Sequence, residues 1–262
     1  MRRNKLREAL NVGRPTIGTH VQSSWPSIVE VIGHTGVCDY IEFVAEYAPF
    51  DLYALENFCR AVELMDLTAM IKLDQEPRRF LAQRSIGMGF QSVLFADCRN
   101  VEDARECVRS VRPETPEDRG FHGVGVRRNS YMVQGGTKDY SQALKDIVIV
   151  LMIEKGSAVD QLEEILDVGG IDMVQWGPAD YCLSTGQPGA YNEPRVKAVE
   201  RQVIETCLTK GIPPRAEIER VEEAKYYLDL GVKHFCLGTD IMILYSWIKE
   251  NGEQLQKTIS DY

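Results

Sequence analysis

Short apolar runs alternate with amphipathic stretches along the whole chain, and this alternation constrains the possible folds more than any other feature. Most of the intervals have helical periodicity, and several end in a glycine suited to a helix C-terminus. Eight repeats of strand and helix predict a parallel sheet closed into one (β/α)8 TIM barrel over residues 1–262. A doubly wound open sheet is the alternative arrangement of the same units. The eight strand-like runs are 16–21, 40–45, 68–72, 92–95, 147–153, 173–176, 215–218 and 234–237.

One interval breaks this alternation. Residues 112–140 are rich in Gly, Pro and Arg and predict a long loop that enters the fifth strand from the helix side. A loop of that length inside a compact domain is usually functional or disordered. We therefore keep two interpretations, a solvated surface excursion and a lid or subunit contact.

Composition excludes several functional classes. The net charge of -9 and the pI near 5.1 argue against nucleic acid as a partner. No apolar run reaches the roughly 20 residues of a membrane helix, and the basic start leads into a charged stretch rather than a secretion signal. Seven cysteines without CxxC spacing predict reduced thiols in the cytoplasm. No phosphate-binding glycine motif or nucleophile elbow is present in the sequence.

Polar side chains stand at the predicted strand ends. In a parallel barrel these ends meet at one mouth, where barrel enzymes build their active sites. The stretch IEFVAEYAPFD, residues 41–51, adds Tyr47 to this group, because Pro49 must end the strand near Ala45. The strand-end residues are His20, Glu46, Lys72, Asp97, Glu154, Asp180, Glu217 and Thr239.

Two of these carboxylates predict a metal site. Glu154 follows the apolar run 147–153, where a carboxylate is too costly to bury without a partner. Asp180 follows the turn that begins WGPADY. With little Cys or His nearby, the pair forms an oxygen-rich site for a hard divalent cation such as Mg²⁺ or Mn²⁺. The alternative is that each residue caps a helix N-terminus.

The stretch IEKGSAVDQLEEILDVGGIDMVQWGPADYCLSTG, residues 153–186, resembles the class II 2-keto-acid aldolases of the HpcH/HpaI type. Residues 13–43, 101–112 and 119–125 are similar to other parts of that family. The resemblance implies a barrel assembled as trimers of dimers that exchange a helix. It implies a divalent metal (Mg²⁺, Mn²⁺ or Co²⁺) on Glu154 and Asp180, and backbone groups of Gly177 and Ala179 that bind the carboxylate of a pyruvate-like substrate.

The chain departs from the pattern of that family in four places, one of which comprises two residues. Tyr47 replaces its histidine acid/base, Lys72 replaces its arginine, Met152 replaces a glutamine, and Glu217 with Glu219 replaces small apolar residues. The metal pair is therefore kept while the groups around the substrate differ.

The catalytic residues that we predict are Tyr47, Lys72, His20 and Glu46. We expect Tyr47 to donate a proton to a developing oxyanion, or else to pack its loop against Pro49. Glu46 would orient a metal-bound water, and the base would be a metal-bound hydroxide or His20. Lys72 would bind substrate, with a Schiff-base role as the alternative.

The predicted function is a metal-dependent carbon–carbon lyase that acts on a small 2-keto acid through a metal-bound enolate. The alternatives are enolate chemistry without aldol cleavage and a non-catalytic barrel that binds a metal and a carboxylate. We also predict a homo-oligomer that uses the C-terminal helix, whose apolar stripe comprises Ile241, Leu244, Tyr245 and Ile248. Ordinary packing of that stripe against its own barrel is the alternative.

Overall fold

The computed structural model describes residues 2–125, 127–128, 131 and 135–262. Eight parallel strands pair in chain order and close into a barrel, because the last strand pairs with the first through Thr16 and His234. The TIM-barrel prediction is confirmed, and the open-sheet alternative is wrong. The strands are β1 (Thr16–Val21), β2 (Tyr40–Val44), β3 (Thr68–Leu73), β4 (Ser92–Cys98), β5 (Val148–Ile153), β6 (Met173–Trp176), β7 (Pro214–Ile218) and β8 (His234–Thr239).

Helices follow the strands, and most of them cover the outside of the barrel, whereas α1 precedes β1 and α12 follows β8 without packing on the barrel. They are α1 (Lys5–Asn11), α2 (Pro26–His34), α3 (Leu52–Leu64), α4 (Arg78–Met88), α5 (Val101–Val111), α6 (Lys138–Lys145), α7 (Gly156–Asp160), α8 (Leu162–Leu166), α9 (Pro178–Ser184), α10 (Pro194–Thr209), α11 (Ala224–Asp229) and α12 (Asp240–Ser260), with a short 3-10 helix at Val221–Glu223. Among the described residues, no helix is both long and apolar enough to cross a membrane.

The barrel interior is divided between an apolar part and a charged part. Leu94, Val150, Met152 and Met173 pack together inside, and Leu6 of α1 closes the amino-terminal end of the barrel below them. The charged part lies between β1, β2 and β7 and is described with the site. Because the lower interior is filled with side chains, a ligand can enter only from the carboxyl ends of the strands.

The long interval packs against outer helices. In its described part, Arg128 donates to a carboxylate oxygen of Glu63 at 2.8 Å and to the Met88 carbonyl at 2.7 Å. Both partners lie at the C-terminal ends of their helices, on the side of the barrel away from the strand-end mouth. The lid interpretation is therefore wrong for this part. Residues 126, 129–130 and 132–134 of the interval lie outside the described residues.

Helix α12 leaves the barrel instead of packing on it. The carboxylate of Asp240 accepts from the N–H groups of Gln22 and Ser23 at 2.9 and 3.0 Å, which anchors the start of the helix. None of its 21 residues is buried. The interpretation that its apolar stripe packs on its own barrel is wrong, because the four side chains are exposed: Ile241, Leu244, Tyr245 and Ile248 are 48%, 64%, 58% and 56% accessible.

Candidate active site

The strand ends surround a cavity of about 370 Å³ at the carboxyl-terminal mouth of the barrel. Most of the residues predicted from strand ends line it, which confirms that they converge. Glu46 and Asp97 do not line the cavity, but each contacts a residue that does. The predicted residues on its wall are His20, Tyr47, Lys72, Glu154, Gly177, Ala179, Asp180, Glu217 and Thr239.

Glu154 is buried directly after β5. Its Oε1 accepts the backbone N–H of Asp97 at 2.7 Å. The β4 backbone is irregular there, and Asp97 has a φ of 55°, which turns this N–H towards the carboxylate. Burial raises the pKa of Glu154 to about 7, and the negative charges of Asp180 and Glu46 add to the rise. A carboxylate in this position is stabilised in its ionised form by a nearby cation.

Asp180 is the third residue of α9 and makes no capping hydrogen bond. The capping alternative is therefore wrong for this residue. Its Oδ1 instead lies 2.9 Å from the Lys155 ammonium, which also pairs with Asp97 Oδ1 at 2.5 Å. Lys155 partly neutralises the acidic group, and no motif or strand-end position in the sequence singles it out.

Gly177 makes room for the Glu154 carboxylate. A Cβ at position 177 would lie 2.4 Å from Oε2 and 2.6 Å from Cβ of Glu154, closer than real contacts allow. The site thus offers Glu154 and Asp180 as oxygen ligands around a space kept free by a glycine. This donor set fits a Mg²⁺-like ion, which is commonly held by one or two carboxylates together with water and substrate oxygens.

Lys72, Glu46 and Tyr47 form a second group at the mouth. The buried Lys72 ammonium lies 2.5 Å from Glu46 and donates to the Tyr47 hydroxyl at 3.2 Å. Burial alone would lower the pKa of Lys72, but Glu46 and Tyr47 outweigh it and raise the pKa above its usual value. A Schiff-base nucleophile needs a neutral amine, so this environment argues against that alternative.

The same group bears on the expected roles of Glu46 and Tyr47. The Glu46 carboxylate is joined to Lys72 rather than to Glu154 or Asp180, which differs from the expected role of orienting a metal-bound water. Burial raises the pKa of Tyr47, so its phenol keeps its proton at neutral pH. Its ring stands beside Lys72, with the ammonium 4.9 Å from the ring centroid, and is 59% exposed.

His20 lies inside the barrel within a buried ionic network. Its Nε2 is 2.9 Å from Glu42 Oε1, and its Nδ1 is 3.3 Å from Glu217 Oε1. Arg215 pairs with the other oxygen of Glu42, and Gln175 donates to Glu217 Oε2 at 3.0 Å. Glu42 and Arg215 are almost completely buried, so each neutralises the charge of the other where water cannot solvate it.

This network sets the charge of His20. Burial alone would lower the pKa of its imidazole, but Cys236, Glu42 and Glu217 outweigh it and raise the pKa well above its usual value. The raised pKa and the carboxylate oxygens beside both ring nitrogens favour the protonated imidazole, which argues against the expectation that His20 acts as the base.

The family was identified by comparison with known proteins. The model of the HpcH/HpaI aldolase/citrate lyase family matches residues 16–244, which is most of the chain. The chain belongs to this family. The predicted family and the predicted class of enzyme, a carbon–carbon lyase, are confirmed.

Two curated relatives and one solved structure illustrate this similarity. A 5-keto-4-deoxy-D-glucarate aldolase of Enterobacter sp. (strain 638) is 28% identical over 256 residues, 97% of each chain. A 4-hydroxy-2-oxo-heptane-1,7-dioate aldolase of Escherichia coli is 29% identical over 243 residues, 92% of this chain and 90% of the relative. The crystal structure of an HpcH/HpaI aldolase/citrate lyase family protein from Burkholderia cenocepacia J2315 has a TM-score of 0.87 at 23% identity, covering 97% of this chain and 100% of that one. The last comparison supports the fold alone.

Two charged residues buried inside this HpcH/HpaI-type barrel are not among the site residues predicted from the sequence. Glu42 interrupts the apolar run of β2, and Arg215 opens the strand-seven run at 215–218. An acid and a base at interior positions of different strands predict a buried ion pair, because neither could be buried alone. That signal was present, but only closure of the barrel shows that β2 and β7 face each other across its interior.

Proposed function

We propose that the protein is a metal-dependent aldolase that cleaves or forms a carbon–carbon bond of a small 2-keto acid in the strand-end cavity. The observation that carries this proposal is the pair of carboxylates beside Gly177, in which Glu154 is buried and Asp180 is partly exposed to the cavity. All three residues lie in the stretch 153–186, which resembles the family, whereas the groups around them depart from the pattern that the resemblance implies.

The aldolases of this family are metal-dependent. Glu154 and Asp180 would hold a divalent cation, with Mg²⁺, Mn²⁺ and Co²⁺ as the candidates. When bound, such an ion acts as a Lewis acid that polarises the keto oxygen and stabilises enolate charge. Lys155, paired with Asp180, limits the negative charge that the ion must balance.

The chain's own groups then orient the substrate. The Lys72 ammonium, kept charged by Glu46, provides a fixed positive charge for substrate oxygens, which is the role that the resemblance implies for an arginine at this place. Gly177 uses its N–H for the Ile153 carbonyl at 3.1 Å. Of the two backbone groups predicted to bind the substrate carboxylate, this leaves Ala179, whose N–H is in the first turn of α9, where helix N–H groups lack helical partners.

Tyr47 is a proton donor in this proposal. Its phenol stays protonated and lies beside Lys72, so it can donate to the oxygen that develops negative charge at the aldehyde carbon. A phenol is a poor base, so the pair of Tyr47 and Lys72 favours oxyanion stabilisation over proton abstraction.

We propose further that α12 mediates assembly into a homo-oligomer built from dimers, with a hexamer as the larger candidate. The helix exposes an apolar stripe, while the outer faces of β1 and β8 are left bare at Ile17 and Leu237, which are 42% and 38% exposed. The α12 helix of a second copy would cover both apolar surfaces at once.

Aldol cleavage of 4-hydroxy-2-keto acids tests the proposed function. Release of pyruvate is followed with lactate dehydrogenase and NADH, with Mg²⁺, Mn²⁺ or Co²⁺ added in turn. We expect cleavage that depends on the ion and is lost in Glu154→Gln and Asp180→Asn, while the exposed Glu164→Gln retains it.

The other outcomes separate the alternatives. Cleavage that persists in EDTA would refute the metal assignment. Absence of cleavage together with metal-dependent exchange of the pyruvate methyl protons would indicate enolate chemistry without aldol cleavage. Metal and pyruvate binding without either reaction would indicate a binding protein.

A further inference from the structure

The β7 wall of the cavity is acidic. Glu217 lines the cavity at the end of β7, and Glu219 and Glu223 line it beyond. Although it belongs to the buried network, the Glu217 side chain is 39% exposed, because it faces the cavity. A ligand that extends from Glu154 along β7 would therefore meet a carboxylate.

The charge of Glu217 is part of the built structure. One oxygen lies 3.3 Å from the His20 imidazole, and the other accepts from Gln175 at 3.0 Å. Burial alone would raise the pKa of Glu217, but His20 outweighs it and lowers the pKa below its usual value. Glu217 is thus ionised at neutral pH and fixed in place, which suits a hydrogen-bond acceptor better than a proton carrier.

The buried pair of Glu42 and Arg215 supports this arrangement from below. The negative charges of Glu42 and Glu217 together balance the positive charges of His20 and Arg215. His20 is therefore a positioning residue, because it orients Glu217 and does not itself need to reach the substrate.

The two ends of a substrate consequently meet different charges. The keto-acid end lies with Lys72 and the proposed metal ligands, where anionic oxygens are stabilised. The rest of the substrate, derived from the aldehyde, extends into the cavity lined by Glu217 and Glu219. The two curated relatives are named for substrates that are dicarboxylates. A second carboxylate on the β7 wall would be repelled here.

We propose that Glu217 is a specificity residue, which accepts hydroxyl or ammonium groups on the aldehyde-derived part of the substrate and rejects a carboxylate there. The inference rests on the proposed aldolase function and names its substrate class: a keto acid whose far end is neutral and hydroxylated, or cationic. In the condensation direction, the pyruvate methyl carbon loses a proton and bonds to the aldehyde carbon, and the aldehyde oxygen gains a proton, with no redox change.

Condensation of pyruvate with matched aldehydes tests this inference. Succinic semialdehyde carries a carboxylate, and its methyl ester, methyl 4-oxobutanoate, has the same chain without the charge. A third aldehyde, 4-(trimethylammonio)butanal, carries a fixed positive charge. We measure kcat/KM for each with the wild type, Glu217→Gln and the control Glu164→Gln in the presence of Mn²⁺.

We expect the wild type to favour the ester and the cation over the anion by about tenfold or more, the scale of a close like-charge contact. Glu217→Gln should raise the ratio of kcat/KM for the anion to kcat/KM for the ester by about tenfold, and Glu164→Gln should leave this ratio unchanged. His20→Asn should shift this ratio in the same direction, whereas a merely structural loss would lower all three rates together.

Equal use of the anion and the ester by the wild type would overturn the inference without any variant, and leave the aldolase function standing. An unchanged ratio in folded Glu217→Gln would overturn it as well. Absence of condensation with all three aldehydes would refute the proposed function, and the inference with it.

Discussion

Gly177→Ala tests the geometry of the proposed metal site without removing a ligand. The added Cβ would lie 2.4 Å from Oε2 and 2.6 Å from Cβ of Glu154, whereas ordinary contacts begin near 3.4 Å. Glu154 must therefore retreat by about 1 Å. The contact with its Cβ cannot be relieved by rotating the carboxylate alone, because that atom is fixed to the backbone of Glu154.

A displacement of this size should strongly weaken the binding of the metal ion. Mispositioning by about 1 Å costs roughly 10²-fold where geometry is critical, and changes to groups that orient ligands cost about 10- to 100-fold in metal affinity. We expect the Kd for Mn²⁺, measured by isothermal titration calorimetry, to rise at least tenfold, or about 1.4 kcal/mol. Overpacking should also cost about 1–3 kcal/mol of stability, measurable by thermal unfolding.

Gly252→Ala is the matched control, because a Cβ at that position in α12 meets no atom within 4 Å. It should leave the Kd for Mn²⁺ unchanged. A folded Gly177→Ala protein that binds Mn²⁺ as tightly as the wild type would show that Glu154 is not held against this glycine or does not bind the ion, and would refute the reasoning.

Three further predictions concern pH, catalysis and assembly. Burial lowers the pKa of His122 and of His234 to about 4, below an unfolded value near 6.5. Their contribution to the free energy of unfolding is therefore complete above pH 6.5 and lost as pH falls towards 4. Between pH 7 and 4.5, the free energy of unfolding in urea should fall by about 2 kcal/mol less for His234→Gln than for the wild type, and equal decreases would contradict this. Tyr47→Phe should lower kcat for aldol cleavage by about tenfold or more, and Tyr47→His should raise kcat above that of the wild type. Equal rates in the wild type and both variants would remove Tyr47 from the mechanism. Light scattering should show the wild type as an oligomer and Leu244→Asp as a smaller species, whereas a wild-type mass of 29.6 kDa would refute assembly through α12.

The barrel could be predicted from the sequence because its signals are local. Most strands are short, predominantly apolar runs, and the strand-end position of a residue follows from its place in the run, which is how Glu154 and Asp180 were found. Parallel strands buried on both faces have this pattern.

The charge states of the site could not be predicted in this way. They depend on contacts between strands far apart in the chain, such as His20 in β1 with Glu217 in β7, separated by 197 positions (217 − 20). The sequence placed His20 at the mouth as a possible base, but only the three-dimensional contacts with Glu42 and Glu217 bring the carboxylates that raise the pKa of its imidazole. Similarly, the pairing of Glu46 with Lys72 depends on side-chain directions that strand periodicity does not determine.

The exposure of α12 was hidden for a different reason. Its apolar stripe has the same periodicity whether it packs on its own barrel or on another subunit, so the two interpretations were equivalent in the sequence. The exposure of the stripe in the structure argues against packing on its own barrel, and packing on another subunit remains a proposal.

Exchange of the pyruvate methyl protons is the most direct test of the central claim, that Glu154 and Asp180 hold a divalent cation that promotes enolate formation. The protein is incubated with pyruvate in D2O, and the methyl signal is followed by proton NMR. We predict loss of the signal with Mn²⁺ added in catalytic amounts or with Mg²⁺. We predict no loss above background in EDTA or with Asp180→Asn. Exchange at the wild-type rate in Asp180→Asn, or no exchange by the wild type with any of the three ions, would contradict the account.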